Sequence, residues 1–230
     1  MRVRHLTRRV RIAALACVAL TMLSSTAAGQ TRTPVRRPAA EPAVRVRAFV
    51  DGGARTFTAS KTFDAVLGSH TGVLFGAGAE VLVGRNLFVS FGVSRFQKDG
   101  ERVVVAGGEA FPNGIDTTIA IVPIEISAGW RFASPGRTVI PYLGGGLGWH
   151  RYKETSEFAT TDEDVQLTKA GYQLLGGAEW RASRWLGVAG EAAWMSVPNA
   201  LAGGPTSAAA AFGEDDLGGA VFRVKVVIGR

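Results

Sequence analysis

An all-β fold, a single eight-stranded antiparallel up-and-down transmembrane β-barrel over residues 44–230, is what this sequence predicts, on three observations. From Val44 to Ile228 apolar residues recur with period two. The alternation falls into eight segments, most of 11 to 14 residues, about twice an ordinary strand of 5 to 6 and right for a tilted bilayer crossing. The connections between them are alternately short and long, as when turns gather on one rim of a barrel and loops on the other.

The first residues precede this pattern. Basic residues up to Arg11, an apolar stretch Ile12 to Leu23 and a Thr26-Ala27-Ala28-Gly29 exit have the three-part layout of a secretory signal, so 1–29 is expected to be removed. The stretch has 12 residues, against about 20 for a membrane-crossing helix. Its Cys17 is a poor match to a lipoprotein acceptor box, and it is the only cysteine, so the mature chain has no thiol for disulfide or redox chemistry. Residues 30–43 hold Pro34, Pro38 and Pro42 among arginines and are expected to form an extended linker. The formal charge of +7 misleads. Five arginines lie in the signal, which leaves 21 basic against 19 acidic residues, or +2, and no compositional case for nucleic-acid binding.

The predicted strands are 44–54, 72–83, 86–97, 118–132, 138–151, 169–181, 185–196 and 218–229. Gly84-Arg85, 133–137 and 182–184 are the tight turns; 55–71, 98–117, 152–168 and 197–217 are the long, polar or Gly/Pro-rich loops, with a hairpin possible from Arg102 to Ala106. Parity decides which face is apolar. Val122, Ile124, Ile126, Ala128, Trp130 and Phe132 oppose Glu125, Ser127 and Arg131, and Phe222, Val224, Val226 and Ile228 oppose Arg223 and Lys225. Each strand is therefore expected to keep one continuous apolar face outward and a polar face inward, the reverse of a soluble barrel. The outward face should end in two aromatic girdles: Phe75, Trp149, Tyr172, Trp194 and Phe222 near the long-loop rim, Trp130, Phe132 and Trp180 near the short-turn rim.

The run Ile121 to Phe132 (IVPIEISAGWRF), a short turn and Pro141 to Trp149 (PYLGGGLGW) resemble the OmpA-like and OmpW-like outer-membrane β-barrel family over about residues 44–229. The resemblance implies a monomer inserted into the bacterial outer membrane by the assembly machinery, in contact with outer-membrane lipid and lipopolysaccharide. It also implies roles ranging from envelope integrity to adhesion and small-solute passage.

The residue sets that suggest chemistry have simpler readings. Gly144-Gly145-Gly146-Leu147-Gly148 lacks the following helix of a phosphate loop, and inward glycines at 144, 146 and 148 make room for large side chains. His150 with Ser156 and Glu157 has no spacing that fixes a nucleophile and its base, so His150 is expected to be a rim residue, and His70 a loop residue without a partner cluster. Asp162-Glu163-Asp164 and Glu214-Asp215-Asp216 lack calcium-loop spacing and are expected to be solvated loops. No metal or cofactor is expected.

The inward charges remain as the candidate site: Arg45, Arg47, Glu80, Glu125, Arg131, Glu179, Glu191, Arg223 and Lys225. An eight-stranded lumen is just wide enough for side chains, and a buried charge without a partner is costly, so these should pair into a plug. Matching heights predict Glu80 with Arg47 or Arg45, and Glu191 with Arg223 or Lys225. The function expected is a non-enzymatic envelope barrel with a structural or surface-interaction role. A narrow channel for small solutes and a lipid-acting hydrolase are the alternatives; lumen packing separates the first from the second, and a rigid Ser/His/acid set would be needed for the third.

Overall fold

The computed structural model describes residues 43–106, 109–156, 165–201 and 207–229. The expected signal, nearly all of the linker, Glu157 and the Asp162-Glu163-Asp164 run lie outside the described residues. Eight strands appear among those described: β1 (Val44–Phe57), β2 (Thr71–Val83), β3 (Leu87–Ala106), β4 (Glu109–Arg131), β5 (Val139–Ser156), β6 (Val165–Arg181), β7 (Leu186–Ser196) and β8 (Gly219–Gly229). Each pairs antiparallel with its successor, and β8 returns to β1 to close the barrel. Gly84 and Gly136 sit at positive φ in two of the short turns, where a side chain would be strained.

The outward parity is the predicted one. Val224 and Val226 are exposed, and Val122 and Ile124 share the outward parity of Ile126 and Trp130. The girdle aromatics are all exposed large apolar side chains, joined by Trp185. Leu174, 69 % exposed, stands among them. A surface of this kind is stable only against lipid.

Three of the long connections differ from the expected loops. The stretch 98–117 is mostly sheet: β3 and β4 run on as a hairpin to Ala106 and Glu109, with a register shift between Glu101 and Val103 that leaves Val103 opposite Pro112. The β-branched run Val103-Val104-Val105 is therefore the outer end of β3, and the shift accommodates a proline that cannot donate to the ladder. The stretches 55–71 and 197–217 each fold a short helix, α1 (Ser60–Leu67) and α2 (Ala208–Phe212). The alanine run at 208–211, expected as loop, is helical because Ser207 accepts from the Ala210 amide at its N-terminus and Gly213 turns left-handed at its end.

Two carboxylates of the acidic run 214–216 are bonded into the protein, whereas that of Asp215 is exposed as expected. Glu214 accepts from the Lys61 and Thr62 amides at 3.2 and 2.8 Å, so it serves the start of α1, where no side chain of α1's own caps it. Asp216 accepts from the Val197 and Gly218 amides and the Ser196 hydroxyl at 2.6 to 2.7 Å. These bonds fix both loops against the barrel mouth.

Candidate functional site

The inward face divides into three layers. Nearest the short-turn rim, Arg47 donates to Glu179 at 2.7 and 2.9 Å and to Glu80 at 2.5 Å. Arg131 donates to Glu179 at 2.6 Å and lies 3.5 Å from Glu80. Arg47 and Glu80 face each other directly in the β1–β2 ladder, whereas Glu179 reaches in from β6 across the lumen. Two cations and two anions thus close a neutral ring. Arg45, also expected in this network, is half-buried and donates to the Gly84 carbonyl at 3.1 Å.

The second layer is also balanced. Glu191 is 2.5 Å from Lys225 and 3.2 Å from Arg223, and it accepts from the Tyr142 hydroxyl at 3.1 Å. Glu125, on β4, meets Arg223 at 3.2 Å. Asp51 faces Lys225 in the β1–β8 ladder, and Arg55 lines the same small cavity as Glu125 and Arg223. Arg55, Arg223 and Lys225 therefore oppose Asp51, Glu125 and Glu191. The sequence reading missed Asp51 and Arg55. Asp51 has the parity of Arg47; Arg55 falls just beyond a first strand predicted over 44–54. Its guanidinium is 1 % exposed, donates to the Leu217 carbonyl at 2.6 Å and stacks 4.6 Å from the Phe57 ring centre.

The third layer, toward the long-loop rim, is apolar and corrects the expectation of a uniformly polar inward face. Phe57, Leu74, Phe96, Ile119, Ile121, Tyr152, Met195 and Val221 are buried there in one cluster. From above, α1 inserts Phe63, which stacks on Phe57 with ring centres 4.0 Å apart, and Leu67. Helix α1 thus stoppers the mouth with side chains.

The inward glycines of β5 act by absence, as expected. Ser127, Gly146 and Gln173 share one row of the sheet, and the bare Gly146 lets Gln173 donate to Ser127 across it at 2.9 Å. Phe88 lies over Gly129 and Gly144 in the same way. His150, expected at the rim, is buried inside the lumen, opposite Pro123. Ser156 is six residues further along the same strand, about 20 Å away at strand rise, so the two do not assemble into a catalytic set. His70 meets one carboxylate, its Nδ1 lying 2.8 Å from Asp64. No group of three or more metal-ligating side chains gathers among the described residues.

What is left open in the lumen is small. Three small cavities among the layers have free volumes of about 10 Å³ each, room for roughly one water apiece.

These features define a class: a closed, side-chain-filled, eight-stranded antiparallel barrel with an apolar exterior. The chain is similar in fold to neisserial surface protein A, at 14 % identity over 81 % of this chain and 97 % of that one, with a TM-score of 0.53. Weaker likenesses are to the N-terminal barrel of Pseudomonas aeruginosa OprF (9 % identity, 80 % and 97 % covered, TM-score 0.46) and to the attachment invasion locus protein of Yersinia pestis (10 %, 81 % and 98 %, 0.48). No family model and no curated protein matches the sequence.

Proposed function

We propose that the chain is a non-enzymatic β-barrel of the bacterial outer membrane, exported with a cleaved signal peptide and monomeric, with a structural or surface-interaction role in the envelope. Its partners in this reading are outer-membrane lipid, lipopolysaccharide and, during insertion, the assembly machinery. One observation carries it: an exterior made for lipid encloses a lumen crossed by three layers of packed side chains, so what the barrel offers is its surface and loops rather than a path. The filled lumen disfavours the channel, and the separation of His150 from Ser156 leaves the hydrolase without a site.

Conductance of the refolded mature chain in planar bilayers tests this reading. Closed bilayers at all voltages that the lipid tolerates are expected. Steady single-channel openings would overturn the structural reading in favour of solute passage.

A further inference from the structure

His150 is a buried titratable side chain that belongs to neither charged layer. It pairs with Pro123 and so lies between Glu125 of the second layer and Ile121 of the apolar one. The side chain is 2 % exposed and its ring is seated on bare backbone, because a Cβ on Gly148 or Gly171 would come within 3.1 or 3.3 Å of its Nε2. Its Nδ1 is buried with no hydrogen-bond partner among the described residues.

Charged groups surround the ring. Arg55 of β1, Glu125 of β4 and Asp216 of the loop before β8 set its electrostatic surroundings, and Lys169 of β6, on the inward parity, pairs with it in the ladder. Neither carboxylate is spare: Glu125 holds Arg223 at 3.2 and 3.3 Å, and Asp216 already accepts from the Val197 and Gly218 amides and the Ser196 hydroxyl. A proton on His150 would sit beside two cations and could gain a carboxylate only by breaking one of these bonds. A charge buried without a partner is far more costly than a neutral ring in the same place.

The groups around His150 are also those that fasten the mouth. Arg55 donates to the Leu217 carbonyl at 2.6 Å, Asp216 binds the end of β7, and the Thr58 amide, on the approach to α1, donates to the Gly218 carbonyl at 3.1 Å. Segment 216–218 therefore knots the approach to α1 to the end of β7. The ring abuts this knot, since the space over Gly171 that Nε2 borders is bordered also by the Val197 side chain.

We propose that His150 is an acid-sensitive latch on the mouth: closure holds its ring neutral, opening of the loops that carry α1 and α2 lets the ring take a proton, and acid therefore frees the α1 stopper while the charged layers below stay shut. The open state binds the extra proton, so closure is fully held above the ring's ordinary value near 6.5 and weakens by up to about tenfold per pH unit below it. The latch deepens the surface-interaction reading by making the loop face depend on pH, and it rests on that reading for its role. Bilayer conductance tests the reading, whereas loop cleavage tests the latch.

The experiment is limited proteolysis of the refolded mature chain in phosphatidylcholine vesicles by proteinase K, with rates normalised at each pH to an unstructured peptide. Cleavage at 58–70 in the wild type is expected to rise about 10- to 30-fold between about pH 7.5 and pH 5. Beyond residue 29 the chain has two histidines, so the exposed one is controlled by H70Q, which should keep the rise. H150F and H150Q, which differ in shape but neither of which titrates here, should lose it, with less than about a twofold change. The ring resonances of the H70Q chain should show His150 taking up its proton over the pH range in which cleavage rises. An unchanged cleavage rate in the wild type, an equal rise in both His150 variants, loss of the rise in H70Q, or a His150 ring that stays neutral while cleavage rises would each overturn the latch.

Discussion

Glu179 is where the lumen is most exposed to a single change. Its two carboxylate oxygens hold Arg47 and Arg131, both nearly inaccessible to solvent, and its own side chain is 4 % exposed. Glu179→Ala leaves two guanidiniums against Glu80 alone. Breaking a buried pair from one side costs about 3 to 5 kcal/mol, because the stranded charge keeps its desolvation penalty without its partner. Glu80 remains 2.5 Å from Arg47 and 3.5 Å from Arg131, so the lower end, about 3 kcal/mol, is expected. Arg131→Ala should cost less, because Glu179 keeps Arg47 at 2.7 Å. In the double variant both charges are gone, so the loss should fall short of the sum by about 1 to 3 kcal/mol. Urea unfolding from lipid vesicles, followed by tryptophan fluorescence, reads all three. Additive losses, within about 0.5 kcal/mol, would refute the ring.

Three further outcomes are expected. Gly146→Val should cost several kcal/mol or prevent folding, because the new side chain takes the space of Ser127 beneath the Gln173 bond, whereas Gly190→Ala, which meets nothing within 4 Å, should stay within about 0.5 kcal/mol by the same urea measurement. Phe63→Ala removes the stopper residue, 1 % exposed; rapid limited proteolysis at 58–70 is expected, with bilayers still closed because both charged layers remain. Mass spectrometry of the exported chain should find its first residue near Gly29 or Gln30; an intact Arg2 would exclude cleavage.

The barrel was legible because period, strand length and turn chemistry point the same way at every strand. Each of the eight predicted segments overlaps one strand of the structure, and the pairs expected from height meet: Glu80 with Arg47, Glu191 with both Arg223 and Lys225. The apolar third layer was less visible because parity was read from charges alone. Ile119 and Ile121 share the parity of Glu125, Leu74 that of Glu80, and Met195 that of Glu191, so toward the long-loop rim the strands become apolar on both faces. A strand apolar on both faces announces that something dry packs inside. Helix α1 was hidden for another reason: eight residues are too few for a periodic signal, and its N-terminus is served by Glu214 from a distant loop, which no local pattern reveals. The long reach of β3 and β4 was missed because Gly100 and Pro112 look like breakers, yet both lie within paired strand.

The two charged layers raise a question that their balance makes answerable: whether the lumen is one pool of charge or two closed sets. The ion pairs of Arg47, Glu80, Arg131 and Glu179 stay among themselves, apart from Arg181 at 3.5 Å from Glu179, and those of Glu125, Glu191, Arg223 and Lys225 do likewise. Contact geometry therefore favours two sets, each neutral by itself. Arg131→Ala leaves the first set one negative charge in excess, and Glu191→Ala leaves the second one positive. In a single pool the combined variant would regain neutrality and recover stability relative to the sum of its parts. In two sets it would not, because a charge stabilised by contacts under 4 Å gains little from an opposite charge beyond intervening side chains. Urea unfolding of Arg131→Ala, Glu191→Ala and the pair decides it: losses that add within about 0.5 kcal/mol are expected, and recovery of 1 kcal/mol or more would show that the layers share their charge.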